Sequence, residues 1–388
     1  MSDQLTPAEK SCENDGPETS SLPRADAPSY CVFDGLQWTS KRGLGRFATQ
    51  LGKHLERMSW NRLSFSRPRW GSPIGRVLLT EFVEPFWREA LAPEIAFFPH
   101  NILPSVFLTH RSFRVLVLHD ILFLQAHNMS NPGNQYRRFK LNHSVAQADL
   151  IITVSEFSRS QILKLLHRNT EVLVIPNALP DGFEAVQRFS KLDGPRPTKV
   201  LHFGGHAPTK NTKAVLRAVA LLNERGAETH LVLAAMSGQL KLVEEWRQET
   251  QLTSAALTVL PSLSDEALRQ VYAESDVHCM PSTGEGFGIP VIEAARCRIP
   301  NVLSPLPVFR ELLGDHAIFA DSLSAESIAE AIRKCMNSDL QEQTACARAR
   351  SERFLFESVH RRDAVGALER IKDLAASRRT RRYSQRIS

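Results

Sequence analysis

The sequence has no run of about 18 apolar residues, so no segment reads as a helix long enough to cross a bilayer. Its first 28 residues, "MSDQLTPAEKSCENDGPETSSLPRADAP", lack the basic start and apolar stretch of a signal peptide. They are polar, rich in serine, proline and acids, and read as a flexible leader. No two cysteines stand in a CxxC spacing. The six cysteines are scattered (Cys12, Cys31, Cys279, Cys297, Cys335 and Cys346), and three of them lie in apolar runs. That pattern points to buried thiols in a reduced, cytosolic setting rather than to disulfides. HExxH and DxD are also missing. The first absence argues against a zinc-hydrolase site. The second gives no support for a divalent metal bridging a nucleotide diphosphate.

What is present is ordinary in bulk and uneven in detail. Hydrophobic residues make up 42% and aromatics 7%, which excludes disorder as the general state. A length of 388 residues exceeds what one core usually serves, so two domains are expected. The net charge of +6 is concentrated in two places, 53–76 and the tail "SRRTRRYSQRIS" (377–388). Local basic patches attract phosphate-rich partners, whereas spread charge only solubilises.

Short runs that are apolar on both faces alternate with longer amphipathic stretches. The runs at 30–35, 95–99, 114–120, 149–155 and 171–177 read as strands of a buried parallel sheet. Helical patterns lie between them at 45–57, 137–147 and 156–168, the last with Ser155 as N-cap. Residues 186–198 fall within an aperiodic stretch rich in proline and glycine, a linker. Alternation then restarts, with strands expected at 199–205, 229–235, 256–261, 276–282 and 301–305, and helices at 211–225, 239–250, 264–273, 289–297 and 324–337. The pattern predicts an α/β protein of two Rossmann-like, doubly wound domains facing a central cleft. Their spans would be 30–185 and 199–356, with a helix over 357–376 packing back toward the first domain and a basic tail after it.

In such folds ligands meet the loops that follow the strands. "GEGFGIPVIE" (284–293) follows the strand "DVHCMPS" and sets Glu285 and Glu293 eight positions apart. Gly286 and Gly288 allow close backbone approach or positive φ, and Pro290 suits a first helical turn. The helix N-terminus would favour a phosphate. Acids on both sides of a phosphate site suit a nucleotide sugar. The competing reading is a tight strand-to-helix turn, with Glu285 solvated and Glu293 on an exposed helix face. "FGGHAPTKN" (203–211) brings Lys210 to a helix entrance, where it would clamp a diphosphate or simply be solvated; it is not a P-loop. Gly43 and Gly45 form a GxG in a loop before a helix, equally explicable as a turn. His119 and Asp120 end a buried strand. A strand-end histidine could bind a sugar hydroxyl, with its protonation tuned by the adjacent acid, or be a satisfied structural residue.

Taken together, "RGLGRF", "VLHDILF", "ADLIITVSEFSRSQI", "VIPNA", "FGGHAPTKN", "SLSDEALRQVYAESDV" and "PSTGEGFGIPVIEAARCRIP" resemble the retaining glycosyltransferases of family 4, from about Tyr30 to about Leu374. Bacterial mannosyltransferases of lipopolysaccharide and exopolysaccharide assembly are nearest in character. The resemblance implies the GT-B architecture and a reaction that retains anomeric configuration without metal or other cofactor. Glu285 would hold the donor sugar near its C3 hydroxyl, assisted by the backbone of Gly286, Phe287 and Gly288. Glu293 would bind the ribose. Lys210 would neutralise the departing diphosphate, flanked by Gly205 and His206. His119 would meet the C6 hydroxyl of the donor sugar, and Gly43 and Gly45 would border the diphosphate and the acceptor. The partners implied are a GDP- or UDP-linked sugar, with GDP-mannose the first choice, and a saccharide or lipid-linked acceptor.

The chain departs from that family's pattern in places. His206 stands where an arginine is frequent and Thr209 where "RK" is frequent, so one cation of the diphosphate clamp would be missing or supplied by another residue such as Arg46. Arg298, in "RCRIP", falls where a glycine is usual. A non-catalytic scaffold of the same architecture is the alternative to an enzyme. The nucleotide-sugar 2-epimerases share the architecture but lack the "SEFS…EGFG…E" set. Specific nucleic-acid binding is disfavoured, because no RNA-type sheet with interleaved aromatics is present and binding through the basic tail alone would be nonspecific. The segment 53–76, with Trp60 and Trp70, could meet an anionic lipid surface from the cytoplasmic side, or be a solvated basic loop.

Overall fold

The computed structural model describes residues 27–32, 43–63, 92–99, 101–103, 112–122, 132–166, 169–180, 182–183, 196–204, 208–235, 237–261 and 263–387. The first half comprises β1 (Ser29–Val32), α1 (Leu44–Arg57), β2 (Asn61–Arg62), β3 (Ile95–Phe98), β4 (Phe113–Val117), α2 (Pro132–Gln147), β5 (Leu150–Thr153), α3 (Glu156–Leu163) and β6 (Glu171–Val174). Its strands form one parallel sheet in the order β2-β1-β3-β4-β5-β6. Every residue of β3, β4 and β5 is buried, the environment that strands apolar on both faces require.

The second half repeats the plan with β7 (Thr198–Phe203), α4 (Thr212–Glu224), β8 (Thr229–Ala235), α5 (Leu240–Glu249), β9 (Leu257–Pro261), α6 (Asp265–Glu274), β10 (Val277–Met280) and α7 (Ile289–Arg296). Then follow β11 (Asn301–Leu303), α8 (Pro307–Leu313), β12 (Ile318–Phe319), α9 (Ala325–Asn337) and α10 (Gln341–Ser351). The order β12-β11-β10-β7-β8-β9 is again parallel, and the winding direction reverses between β7 and β10. That reversal opens a crevice beyond the carboxyl ends of those two strands. One apolar cluster joins the halves, running from Tyr30, Phe47 and Val115 through Phe183 and Tyr272 to Phe287 and Phe309.

The chain closes with α11 (Phe356–Val359), a π-helical turn (His360–Ala364) and α12 (Val365–Ile387), which carries helix through the stretch expected to be a tail. Arg370 forks onto Glu171 with two 3.0 Å hydrogen bonds, and Arg378 pairs with Asp149, so the last helix is tied to the first sheet. The basic residues there serve partly as internal ion pairs. Trp60 is buried against Tyr30 and Phe97 and does not face a membrane, while Trp70 and the rest of 64–76 lie outside the described residues. The described cysteines are free thiols, four of them buried and Cys346 partly so.

Arg298 has φ 58°, in the left-handed region. It follows Cys297, the C-cap of α7; Ile299 N–H bonds back to Ala294 O (3.0 Å) and Arg298 N–H to Ala295 O (3.0 Å), a Schellman closure that glycine favours. This accounts for the glycine usual there in the resembled family. Arg298→Gly is expected to stabilise the fold by roughly 1 kcal/mol, visible as a rise of about 1–2 °C in Tm. An unchanged or lower Tm would show that the arginine side chain compensates for its strain.

Burial holds the imidazoles of His119, His202 and His278 neutral, each lowered to about 4, and burial together with neighbouring His360 lowers His54 to about 3. The unfolded chain therefore binds more protons than the folded one below the ordinary value of about 6.5. Stability is complete above that pH and falls as the pH drops toward 4, by up to about 1.4 kcal/mol per unit for each group. Thermal denaturation at pH 7 and pH 5 checks this, with the lower Tm expected at pH 5.

Candidate active site

The two loops that flank the reversal carry the charged residues singled out in the sequence. After β7, Gly204 has no room for a side chain. A Cβ there would stand 2.6 Å from Thr212 Oγ1 and 2.7 Å from a Leu233 methyl, so α4 packs directly over the strand end. A short turn, Pro208–Lys210, then delivers Lys210 to the entrance of α4. After β10, the loop 281–288 delivers Glu285. Thr283 N–H donates to Thr209 O (2.8 Å), tying the two loops together.

Lys210 Nζ donates to Glu285 Oε1 at 2.6 Å, and the same oxygen accepts from Ser282 Oγ at 2.7 Å. The Glu285 side chain is 13% exposed and that of Lys210 28%, so both reach solvent from a mostly enclosed position. Asp120, at the end of β4 in the other half, completes a charged trio. Burial raises its pKa above the ordinary carboxylate value; Glu285 pushes the same way, while Lys210 and a hydrogen bond from Leu122 N–H oppose.

The glycines between the two glutamates serve first to let the halves meet. A Cβ on Gly286 would lie 2.6 Å from His119 O and 2.8 Å from Asp120 Cβ. Its carbonyl is gripped by Ser155 Oγ (2.7 Å) and Ser158 Oγ (3.0 Å), both from the start of α3. Ser155 is also the N-cap of α3, accepting from Ser158 N–H. Glu311 of α8 reaches back across the same joint and accepts from Glu156 and Phe157 N–H, each at 2.9 Å. Gly288 has φ 109° and packs under the Phe309 ring, a position that needs glycine. It caps α7 without a side-chain bond, and Val291 N–H donates to its carbonyl at 2.9 Å. Phe287 turns into the core against Phe354, leaving only its backbone for a ligand.

Glu293 does not lie on an exposed helix face, the competing reading of this motif. Only 2% exposed, it accepts from Arg46 Nη1 (3.0 Å) and Tyr272 Oη (2.8 Å). Burial raises its pKa, with Arg46 and the Tyr272 hydrogen bond opposing. Arg46 also lies 3.5 Å from Asp265. Its guanidinium thus lies between two carboxylates.

His119 is buried, donating from Nε2 to Pro99 O (3.3 Å) and setting its ring edge on Phe47 at 5.0 Å. Burial sets its titration, opposed by that hydrogen bond; the adjacent Asp120 does not tune it as the sequence suggested. Gly43 caps α1 with φ 54° and open space beside it, but Gly45 belongs to the first turn of the helix rather than to a loop. Gly205 and His206 lie outside the described residues. Sequence reasoning passed over Ser282, Ser158, Tyr272 and Glu311. Ser282 had the clearest signal, a hydroxyl three positions before Glu285.

Two facing parallel sheets, with an acid–lysine pair where the second one reverses, define an enzyme of the GT-B class. The family profile described as "Glycosyl transferases group 1" matches residues 184–353. That stretch is less than half of the chain; together with the relatives that follow, it makes the protein a glycosyltransferase. It is 28% identical over 270 residues to an O-antigen chain mannosyltransferase B of Escherichia coli, covering 66% of this chain and 70% of that one. It is 26% identical over 253 residues to a GDP-mannose-dependent alpha-(1-6)-phosphatidylinositol dimannoside mannosyltransferase of Mycobacterium tuberculosis, covering 64% of each. Among solved structures, sucrose-phosphate synthase from Thermosynechococcus elongatus superposes with a TM-score of 0.73 over 89% of this chain and 98% of that one, at 17% identity.

Proposed function

We propose that the protein is a retaining hexosyltransferase that moves mannose from GDP-mannose to a saccharide or lipid-linked saccharide, without a metal ion. The observation that carries this reading is the 2.6 Å contact between Lys210 Nζ and Glu285 Oε1. A nucleotide sugar presents its anomeric diphosphate and its ring hydroxyls side by side, and this pair offers a cation to the first and a carboxylate to the second. Charge develops on the leaving phosphate during transfer, so a preorganised lysine and the amide end of α7 stabilise the transition state more than the ground state. Glu285 would hold the donor sugar through a ring hydroxyl. Glu293 would reach the ribose only by exchanging Arg46 or Tyr272 for its hydroxyls, and His119 would meet the donor sugar through Nδ1. The two mannosyltransferase relatives favour mannose, and the mycobacterial one favours GDP as its carrier.

Thermal shift with GDP, UDP and ADP, each with and without EDTA, tests the reading. A ligand at 100 times its Kd adds about 2.7 kcal/mol, a shift of several degrees. GDP is expected to raise Tm selectively and equally with and without the chelator. A shift by UDP alone would reassign the donor, and a GDP shift abolished by EDTA would overturn the metal-free clamp.

A further inference from the structure

Asp120 is the third charge of the crevice, and no role in binding the donor fits it. It comes from the first half, at the carboxyl end of β4, while Lys210 and Glu285 come from the second. Its position is tightly fixed. Oδ1 accepts from Leu122 N–H at 3.1 Å, and the Cα of Gly286 presses against it so closely that a Cβ there would be 3.2 Å from Oδ2. Among the described residues Oδ2 has no hydrogen-bond partner. A carboxylate repels a diphosphate, which excludes the nucleotide's anionic end as its ligand. The proposed donor sugar already has Glu285 for its hydroxyls. What remains at this point of the crevice is a hydroxyl arriving from the first half.

We propose that Asp120 Oδ2 receives a hydrogen bond from an acceptor hydroxyl next to the attacking one and so aims the attacking oxygen at the anomeric carbon. This rests on the transferase reading above. In the step itself the acceptor oxygen–carbon bond forms, the carbon–oxygen bond to the diphosphate breaks with its electron pair going to the phosphate, and the acceptor's proton goes to that phosphate. Asp120 orients and takes no proton. Burial, with Glu285 pushing the same way, raises the pKa of its carboxyl, and a hydroxyl donating to Oδ2 would offset that cost. The steric demand on Gly286 gains a purpose as well, because it brings this acceptor-side carboxylate against the donor-side loop.

The test is Asp120→Asn, which keeps an acceptor for Leu122 N–H, assayed with GDP-mannose and methyl α-mannoside. The acceptor KM is expected to rise or kcat to fall so that kcat/KM for the acceptor drops about 10²-fold, with the Kd for GDP within twofold of wild type. Asp120→Glu, which keeps the charge but moves it by one methylene, is expected to lose nearly as much, and it serves if the asparagine variant does not fold. Unchanged acceptor kinetics in either variant would overturn the proposal, as would a loss confined to GDP affinity. A wild-type protein that releases GDP from no mannosyl donor would instead sink the GDP-mannose reading on which the assay rests.

Discussion

Glu285→Gln is expected to lower kcat for sugar transfer by about 10²- to 10³-fold while GDP binds as well as before or more tightly. The amide keeps the size of the side chain and can still accept from Ser282, so the loop after β10 should hold its shape. What it loses is the negative charge that binds a donor hydroxyl most strongly and that faces Lys210 at 2.6 Å. Freed of its counter-ion, Lys210 becomes a stronger ligand for a diphosphate. Affinity for the nucleotide and rate of transfer therefore separate, which distinguishes this account from simple damage to the site. Parallel losses of GDP affinity and kcat would contradict it.

Arg46→Met carries the second large effect, on stability. Arg46 and Glu293 join α1 to α7, with side chains 14% and 3% exposed. Removing one member of a buried pair leaves a charge without a partner, a cost of about 3–5 kcal/mol. Glu293 retains the Tyr272 hydroxyl and can take a proton, so a loss nearer 3 kcal/mol is expected, read as a fall of several degrees in Tm. Combining Arg46→Met with Glu293→Gln removes both charges and should restore most of the loss, a coupling that a double-mutant cycle measures directly. If the single variant melts with the wild type, or the double variant melts no higher than the single, the pair does not hold the halves together.

Most of the α/β alternation was legible, because buried parallel strands announce themselves by being apolar on both faces. The segments at 95–99, 114–120 and 229–235 all became strands of that kind. Edge strands β2 and β12 are two residues each, too short for any periodic signal. Helix α10, "QEQTACARARS", escaped notice because its buried face is built from Thr344, Ala347 and Ser351 rather than from large apolar residues. The expected helix at 156–168 ends at Leu163, since only Ser158 and Ile162 are buried along it.

The site divides along similar lines. Glu285 and Lys210 were legible because both follow strands that flank the reversal of the sheet, where local sequence decides position. Glu293 was not, because its environment is set by Arg46, 247 positions away, and by Tyr272, and no spacing rule links these three. The purpose of Gly286 was half legible. Close approach was expected, yet the surface approached is the strand end carrying His119 and Asp120, which only the folded pair of halves reveals.

The most direct measurement is the release of GDP from GDP-mannose in the presence of mannose-containing acceptors, followed by NMR for wild type and Glu285→Gln side by side. The account predicts GDP release by the wild type, an α-linked product from the α-linked donor, and release reduced at least about 10²-fold in the variant. A β-linked product, equal release by both proteins, or none from the wild type would contradict it.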